Sequence, residues 1–301
     1  MLKLPHHKRY DYIPITKRQN YSWPGGKRLA FFMALNIEHF AFGAGRRLDP
    51  FNGFSSAPTS RNWAWLDYGN RIGNFRFFEM LDQFKLPASI LLNSAVCYEY
   101  PEIVEKIKAR GDDVLGHGRT NAETLQGLWE DDERRHIREC VEVITKYIGV
   151  RPTGWMGAGA IESSVTLDLL KEEGFTHCLD WPVDDQPIWM RTRSGPLLSV
   201  PYPMELNDAG TQGVRHHTGR EFADMLVDQF EELLEASDKQ PLVFSLALHG
   251  YLLGQPMRLR PLRKAIKHCV EHKHADQVWF TRAGDIAKYC IDMKPGIIAG
   301  S

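Results

Sequence analysis

Short, nearly unbroken apolar runs alternate with longer amphipathic stretches along this chain, and that rhythm constrains the fold more than anything else in it. LAFFMALNI (29–37) reads as a strand, RIGNFRFFEMLDQF (71–84) as a helix and ASILLNSAV (88–96) as a second strand. PEIVEKIKARG (101–111) has Pro just inside its start and Gly just past its end, the usual asymmetry of a helix, and DDVLGHG (112–118) follows as a strand. The same alternation gives helix 131–147, strand 153–159, helix 164–173 closed by Gly174, and strand 175–181. An extended segment at 196–203, helix 219–236, strand 241–250, helix 260–272 and strand 277–284 complete the series, Thr218 and Glu221 standing in capping-box spacing. Seven or eight such units with continuously apolar strands imply a parallel sheet buried on both faces. The closed arrangement of that many is a (β/α) barrel, and a doubly wound open sheet is the competing architecture. No G-x-G-x-x-G or Walker-type loop is present to cradle a phosphate.

At 301 residues the chain fits one barrel domain, since such barrels run to about 250 residues and more. Residues 1–27 carry Pro5, Pro14, Pro24 and Gly25-Gly26 with no helical period, and read as an irregular arm laid over the barrel. With 37 basic against 38 acidic residues, nothing draws the chain to nucleic acid or an anionic membrane, and a small-molecule substrate is expected. The five cysteines are scattered without a C-x-x-C pair, which points to reduced, buried thiols and a cytoplasmic protein. No apolar run approaches the roughly 20 residues of a membrane span, and the N-terminus lacks the apolar core of a secretion signal.

Barrel sites lie at the C-terminal ends of the strands. That rule selects Asn36, Glu38 and His39 after the first strand, His117, Trp155, Asp180 with Asp184 and Asp185, and His249. Glu38 is a candidate base or metal ligand. His117 stands between Gly116 and Gly118, which leave backbone room for a ligand, and His249 suits proton transfer at neutral pH. Trp155 offers an aromatic wall, Asp184 and Asp185 polar contacts. His216-His217 and the trio His268, His272 and His274 read as surface histidines. Arg258, Arg260 and Arg263 form a basic patch that either meets a substrate carboxylate or caps neighbouring elements. Trp63, Trp65 and Tyr68, with the arm, offer apolar surface for a second copy.

The segments LNIEHF (35–40), HGRTN (117–121), RPTGWMGAG (151–159), LDWPVDDQP (179–187), VPYPMELND (200–208), RHHTG (215–219) and LALHGYLLGQPMRLRPLR (246–263) occur in an order and spacing that resemble the polysaccharide deacetylases of the NodB-homology type. The resemblance is greater to the branch containing cofactor-independent allantoinases. It implies an α/β fold, a distorted (β/α) barrel of about seven parallel strands, and hydrolysis of a non-peptide carbon–nitrogen bond. In metal-dependent relatives an aspartate and two histidines spaced i, i+4 hold a divalent cation, a second aspartate is the base and a late histidine protonates the leaving amine. His117 matches the first histidine of the pair, but Asn121 stands at the second. Met156 replaces an arginine that orients the base, and Glu38 stands for one of the aspartates. His249 matches the late histidine.

The leading expectation is therefore a small-molecule amidohydrolase with Glu38, His117 and His249 catalytic, and Asn36, His39, Asn121, Trp155, Asp184 and Asp185 lining the substrate. The alternatives are allantoinase-like ring opening of a cyclic amide or ureide, and a non-catalytic binding barrel. No tightly bound metal is expected. If a divalent cation such as zinc is held, its ligands are Glu38, His117 and Asn121. The resemblance also implies a homo-oligomer, a dimer or tetramer.

Overall fold

The computed structural model describes residues 4, 6–45, 47–49, 53–55 and 59–301, with side chains left aside at 53–55. Pro5 of the arm lies outside them. The strands are β1 (Leu29–Ile37), β2 (Arg47–Asp49), β3 (Gly53–Ser55), β4 (Ser89–Leu92), β5 (Asp113–Gly116), β6 (Gly154–Trp155), β7 (His177–Cys178), β8 (Ile188–Thr192), β9 (Gly195–Ser199), β10 (Leu242–His249) and β11 (Val278–Phe280). Nine form one curled sheet in the order β10-β1-β4-β5-β6-β7-β9-β8, with β11 beside the first half of β1, and β2 and β3 make a separate hairpin. Every pairing in the large sheet is parallel except β8 with β9. The sequence pattern misses β8, because its residues alternate between buried and exposed as a hairpin edge does.

Between the β8–β9 edge and β10 the ring is bridged by irregular chain. Val243 donates its N–H to Asp185 O (2.8 Å) and Ala247 to Leu206 O (3.0 Å). This is the distortion of the barrel, and it brings residues 206–208 against the end of β10.

Side chains alternate across a strand, and β1 uses both faces. Leu29, Phe31, Met33, Leu35 and Ile37 pack outward against the helices, while Ala30, Phe32 and Ala34 join Leu91, Leu115, Val243 and Ala247 in the interior. The small inward alanines leave room for Trp23 of the arm, which is buried in that interior cluster and donates its Nε1–H to Leu242 O at 3.0 Å. The arm is thus a plug in the barrel core as well as a cover. It is fastened further by Arg18 on Asp184.

Outside the barrel, the helix Ser60–Tyr68, which the apolar pattern overlooks, runs through a wide turn at Gly69–Gly73 into the helix Asn74–Phe84. Gly73 is required there: a Cβ on it would stand 1.9 Å from Gly250 O, so the turn packs backbone against the loop that follows β10. Trp63 donates Nε1–H to Phe40 O (2.9 Å), and the Trp65 ring lies 5.1 Å from that of Tyr251. Trp63 and Trp65 are engaged within the chain and half-buried, as is Tyr68. All five cysteines are free and buried. Among the described residues no helix is long and apolar enough to cross a membrane.

Candidate active site

The alternation along β1 continues past its end. With Ala34 inward, Asn36 and Glu38 also face inward and His39 faces out. The same parity on β10 sends Val243 and Ala247 to the interior cluster and His249 into the site, and on β5 it follows Leu115 with His117. Three strands thereby deliver three ionisable side chains to one end of the barrel, each of them nearly inaccessible.

Glu38 Oε1 is the meeting point. It lies 3.4 Å from His117 Nε2 and 3.3 Å from His249 Nε2. The backbone of Glu38 is held by Asn70, whose Nδ2–H donates to its carbonyl at 2.7 Å, and Asn74 in turn donates to Asn70 Oδ1 at 3.0 Å. The wide turn at Gly69–Gly73 therefore serves to position the carboxylate.

His117 and His249 are oriented from behind by different partners. His117 Nδ1–H donates to Met156 O at 2.5 Å, which leaves Nε2 of a neutral ring as a bare acceptor facing Glu38. Two acceptors facing each other want a shared donor between them, such as a water O–H or a substrate N–H. His249 Nδ1 lies 2.5 Å from Asp208 Oδ1, and its backbone N–H donates to Asp208 Oδ2 at 2.9 Å. His249 is thus clasped between two carboxylates.

Those contacts set the charges. Burial opposes a charged imidazolium at His249, but the anions of Glu38 and Asp208 outweigh it and raise the pKa to about 10. Burial likewise works against a charged Glu38, and the His249 charge and hydrogen bond more than reverse it, down to about 2. At neutral pH the site holds a carboxylate and an imidazolium side by side.

The cavity over these groups has a volume of about 350 Å³ and is lined by Asn36, Asn121, Met156, Tyr202 and Tyr251, among others. Asn36 donates to the Tyr202 hydroxyl at 3.1 Å. Asn121 reaches the cavity from the loop after β5, and its Oδ1 meets no partner among the described residues.

Four expected contacts are elsewhere. Trp155 is fully buried, its ring packed on Phe175 at 5.6 Å, so it is core and not a wall. The glycines around His117 serve packing too: a Cβ on Gly116 would strike the Trp155 ring at 2.6 Å, and one on Gly118 would come within 3.3 Å of His136. His39 turns outward to the Tyr100 hydroxyl (3.3 Å). Asp184 binds Arg18 of the arm, and Asp185 offers its carbonyl to β10, both away from the cavity. Asp180, at the end of β7, accepts the Gly157 N–H at 2.6 Å behind the site, and burial raises its pKa. Arg258 and Arg260 lie with His216 and His217 on a different surface. Sequence reading gave no role to Asp208 and did not single out Tyr202 or Tyr251. Asp208 sits in irregular chain, where no periodicity announces which way a carboxylate points.

A catalytic zinc is ordinarily held by three imidazole, carboxylate or thiolate ligands. Glu38 and His117 supply two and Asn121 only a neutral oxygen, and His249, whose Nε2 also faces Glu38, does not complete with that pair a group whose ligand atoms all lie within 4.8 Å of one another. Among the described residues, the group of three His, Cys, Asp or Glu side chains with ligand atoms within 4.8 Å of one another is Glu231, His268 and His272, on the outer helices. There His268 Nε2 and His272 Nε2 lie 2.6 and 3.5 Å from the same Glu231 Oε1. Among the described residues the barrel site offers no such group of three.

The polysaccharide deacetylase family profile matches residues 63–178. A Schizosaccharomyces pombe protein named as a polysaccharide deacetylase is 25% identical over 283 residues, covering 88% of this chain and 86% of that one. A probable polysaccharide deacetylase of Pseudomonas aeruginosa PAO1 has a crystal structure that superposes with a TM-score of 0.81 at 28% identity, covering 91% of this chain and 94% of that one. The crystal structure of the Puue allantoinase gives a TM-score of 0.82 at 28% identity over 95% and 99% of the two chains. The curled parallel barrel, with Glu38, His117 and His249 at its strand ends, thus carries a match to the polysaccharide deacetylase family over residues 63–178, and its structural neighbours include NodB-type deacetylases and the Puue allantoinase.

Proposed function

We propose that this deacetylase-like hydrolase of carbon–nitrogen bonds acts on a small amide or ureide without a bound metal, using Glu38 as base and His249 as acid. The observation that carries the reading is the shared oxygen, Glu38 Oε1, within 3.4 Å of both imidazoles in a cavity of about 350 Å³. That volume is at the small end of ligand pockets, which run about 300–1,000 Å³, and it favours a small molecule over a polymer.

In the proposed mechanism, water sits between the carboxylate of Glu38 and Nε2 of His117 and gives a proton to Glu38 as its oxygen attacks the carbonyl carbon. Asn121 and other donors at the cavity wall stabilise the developing oxyanion. The protonation of Glu38 removes one of the two anions that hold the proton on His249. Its acidity therefore rises when a proton is needed by the departing nitrogen. The carbon–nitrogen bond breaks as His249 Nε2–H protonates the amine, and the proton that Glu38 took from water then passes to His249, restoring the carboxylate and imidazolium.

The Puue allantoinase likeness, extending over 99% of that chain, favours a ring-opening variant in which the amine leaving group stays tethered as part of a ureide. The test is a panel of acetylated sugars, N-acyl amino acids, hydantoins and ureides, assayed for released acetate or ring-opened acid. Turnover of a hydantoin or ureide but not of the sugars supports the small-molecule reading. Turnover confined to acetylated oligosaccharides contradicts it. A barrel that binds members of the panel, seen as thermal stabilisation, and turns over none is a binding protein.

A further inference from the structure

Arg47 is the largest charged side chain hidden in this fold, at 1% exposure. It opens β2, in the hairpin that follows β1, and lines the same cavity as Glu38, His117 and His249. Of the five N–H donors of a guanidinium, those of Nη2 reach the carbonyl oxygens of Ala41, at 3.0 Å, and Ala44. Nε and Nη1 are buried and meet no partner among the described residues.

A guanidinium does not escape this by losing its proton, even though burial lowers its pKa, because its ordinary value is above about 12. A buried cation without a counter-charge is costly, and folded proteins supply one. Among the described residues no carboxylate pairs with Arg47, and Asp49, on the same strand, lies 3.9 Å from Arg61. Glu38, the one acid among the described residues that line the cavity, has its charge committed to the His249 imidazolium. The second arginine on that wall, Arg215, already pairs with Glu205 at 2.5 Å.

We infer that the missing counter-charge belongs to the ligand: Arg47 is the subsite for a carboxylate carried by the substrate, whose scissile amide or ureide group lies at Glu38 and His117. This rests on the hydrolase reading above and narrows its substrate class to N-acyl or N-carbamoyl carboxylates and cyclic ureides with a carboxylate side arm. The carboxylate accepts hydrogen bonds from Nε and Nη1, a charge-assisted pairing for which arginine is suited and a lysine point charge is a partial substitute. Neutral compounds of the same shape leave the guanidinium unpaired and bind less tightly.

The test is calorimetric titration of the protein with a set of N-carbamoyl and N-acyl amino acids, each beside its neutral primary amide, in a buffer free of carboxylates. Wild-type protein is expected to bind at least one carboxylate about tenfold or more tightly than its amide. In Arg47→Met that ratio falls to near one, and Arg47→Lys restores part of it. The far-ultraviolet circular dichroism of each variant, and its affinity for the neutral amide, report whether the barrel and cavity are intact. The wild-type ratio decides by itself if Arg47→Met does not fold: no carboxylate preferred over its amide overturns the proposal, as does a preference that survives in a folded Arg47→Met. Hydrolysis is scored separately. Carboxylate preference without turnover of any compound leaves the subsite standing and sinks the hydrolase reading, whereas turnover without preference does the reverse.

Discussion

Asp208 holds His249 twice, once through the ring Nδ1 at 2.5 Å and once through the backbone N–H at 2.9 Å. A single carboxylate thereby fixes the rotamer of the imidazole and holds one proton on Nδ1, so the second proton of the imidazolium sits on Nε2, aimed at Glu38. Asp208→Asn keeps the shape and removes the charge. The alkaline limb of the kcat/KM profile should then move to lower pH, since an anion that raises the His249 pKa is gone, and kcat should fall. An alkaline limb that stays in place shows that His249 does not set it.

Removing the imidazole is the plainer experiment. His249→Ala is expected to lower kcat by roughly 10² to 10⁴, the usual worth of a positioned acid, with the circular dichroism spectrum unchanged. A kcat within a few-fold of wild type takes His249 out of the chemistry.

The buried pair also links stability to pH. His249 is raised from 6.5 to about 10, so its contribution is full below 6.5 and is lost as pH rises through about 10. Glu38 is lowered from 4.5 to about 2, so its contribution is full above 4.5 and is lost as pH falls through about 2. Between pH 4.5 and 6.5 both are present. The Tm difference between wild type and His249→Gln should be flat in that window and shrink steadily from pH 7 to 10. A difference that grows with alkalinity contradicts the assigned ion pair.

Gly73 carries no chemistry, yet a methyl group there has no space beside Gly250 O. Gly73→Ala should destabilise the fold by about 1–3 kcal/mol, the range for overpacking, and should also reduce kcat because Asn70 and the Glu38 backbone move with the turn. Equilibrium urea unfolding gives the first quantity and steady-state kinetics the second.

Much of this was legible in the sequence, for reasons specific to each element. The β1 pattern ran from Leu29 to Ile37 as read, because a strand buried on both faces is a solid apolar run, and the helix Gly219–Ala236 began at Thr218 because its capping box is local chemistry. Strand parity, applied past the end of β1, also separates inward Glu38 from outward His39. The N-terminal half of the α-helical layer was less legible: Trp63 and Trp65 stand in a short amphipathic helix whose burial is decided by Phe40 and Tyr251, far away in sequence. Asp208 and Arg47 were invisible for the same reason. Each lies at the edge of irregular chain, and only the folded barrel shows that one meets a histidine and that the other keeps Nε and Nη1 without a partner among the described residues.

Metal content separates the proposed chemistry from that of a metal-dependent deacetylase. Protein expressed without a histidine tag and passed through a chelator is expected to hold far less than one zinc or other transition metal per chain and to keep its activity. One equivalent of metal, with activity lost on chelation and regained on adding the metal back, would make Asn121 a ligand and overturn the metal-free mechanism.

The central claim is that Glu38, between two histidines, takes a proton from water during carbon–nitrogen hydrolysis. Glu38→Gln tests it most directly, since the amide preserves size and hydrogen bonding but cannot accept the proton as a base. On whichever member of the amide and ureide panel wild-type protein turns over, the account predicts a fall in kcat of at least about 10² in Glu38→Gln, with the affinity for that compound held within a few-fold. A Glu38→Gln protein that folds, binds and hydrolyses at close to the wild-type rate would contradict it.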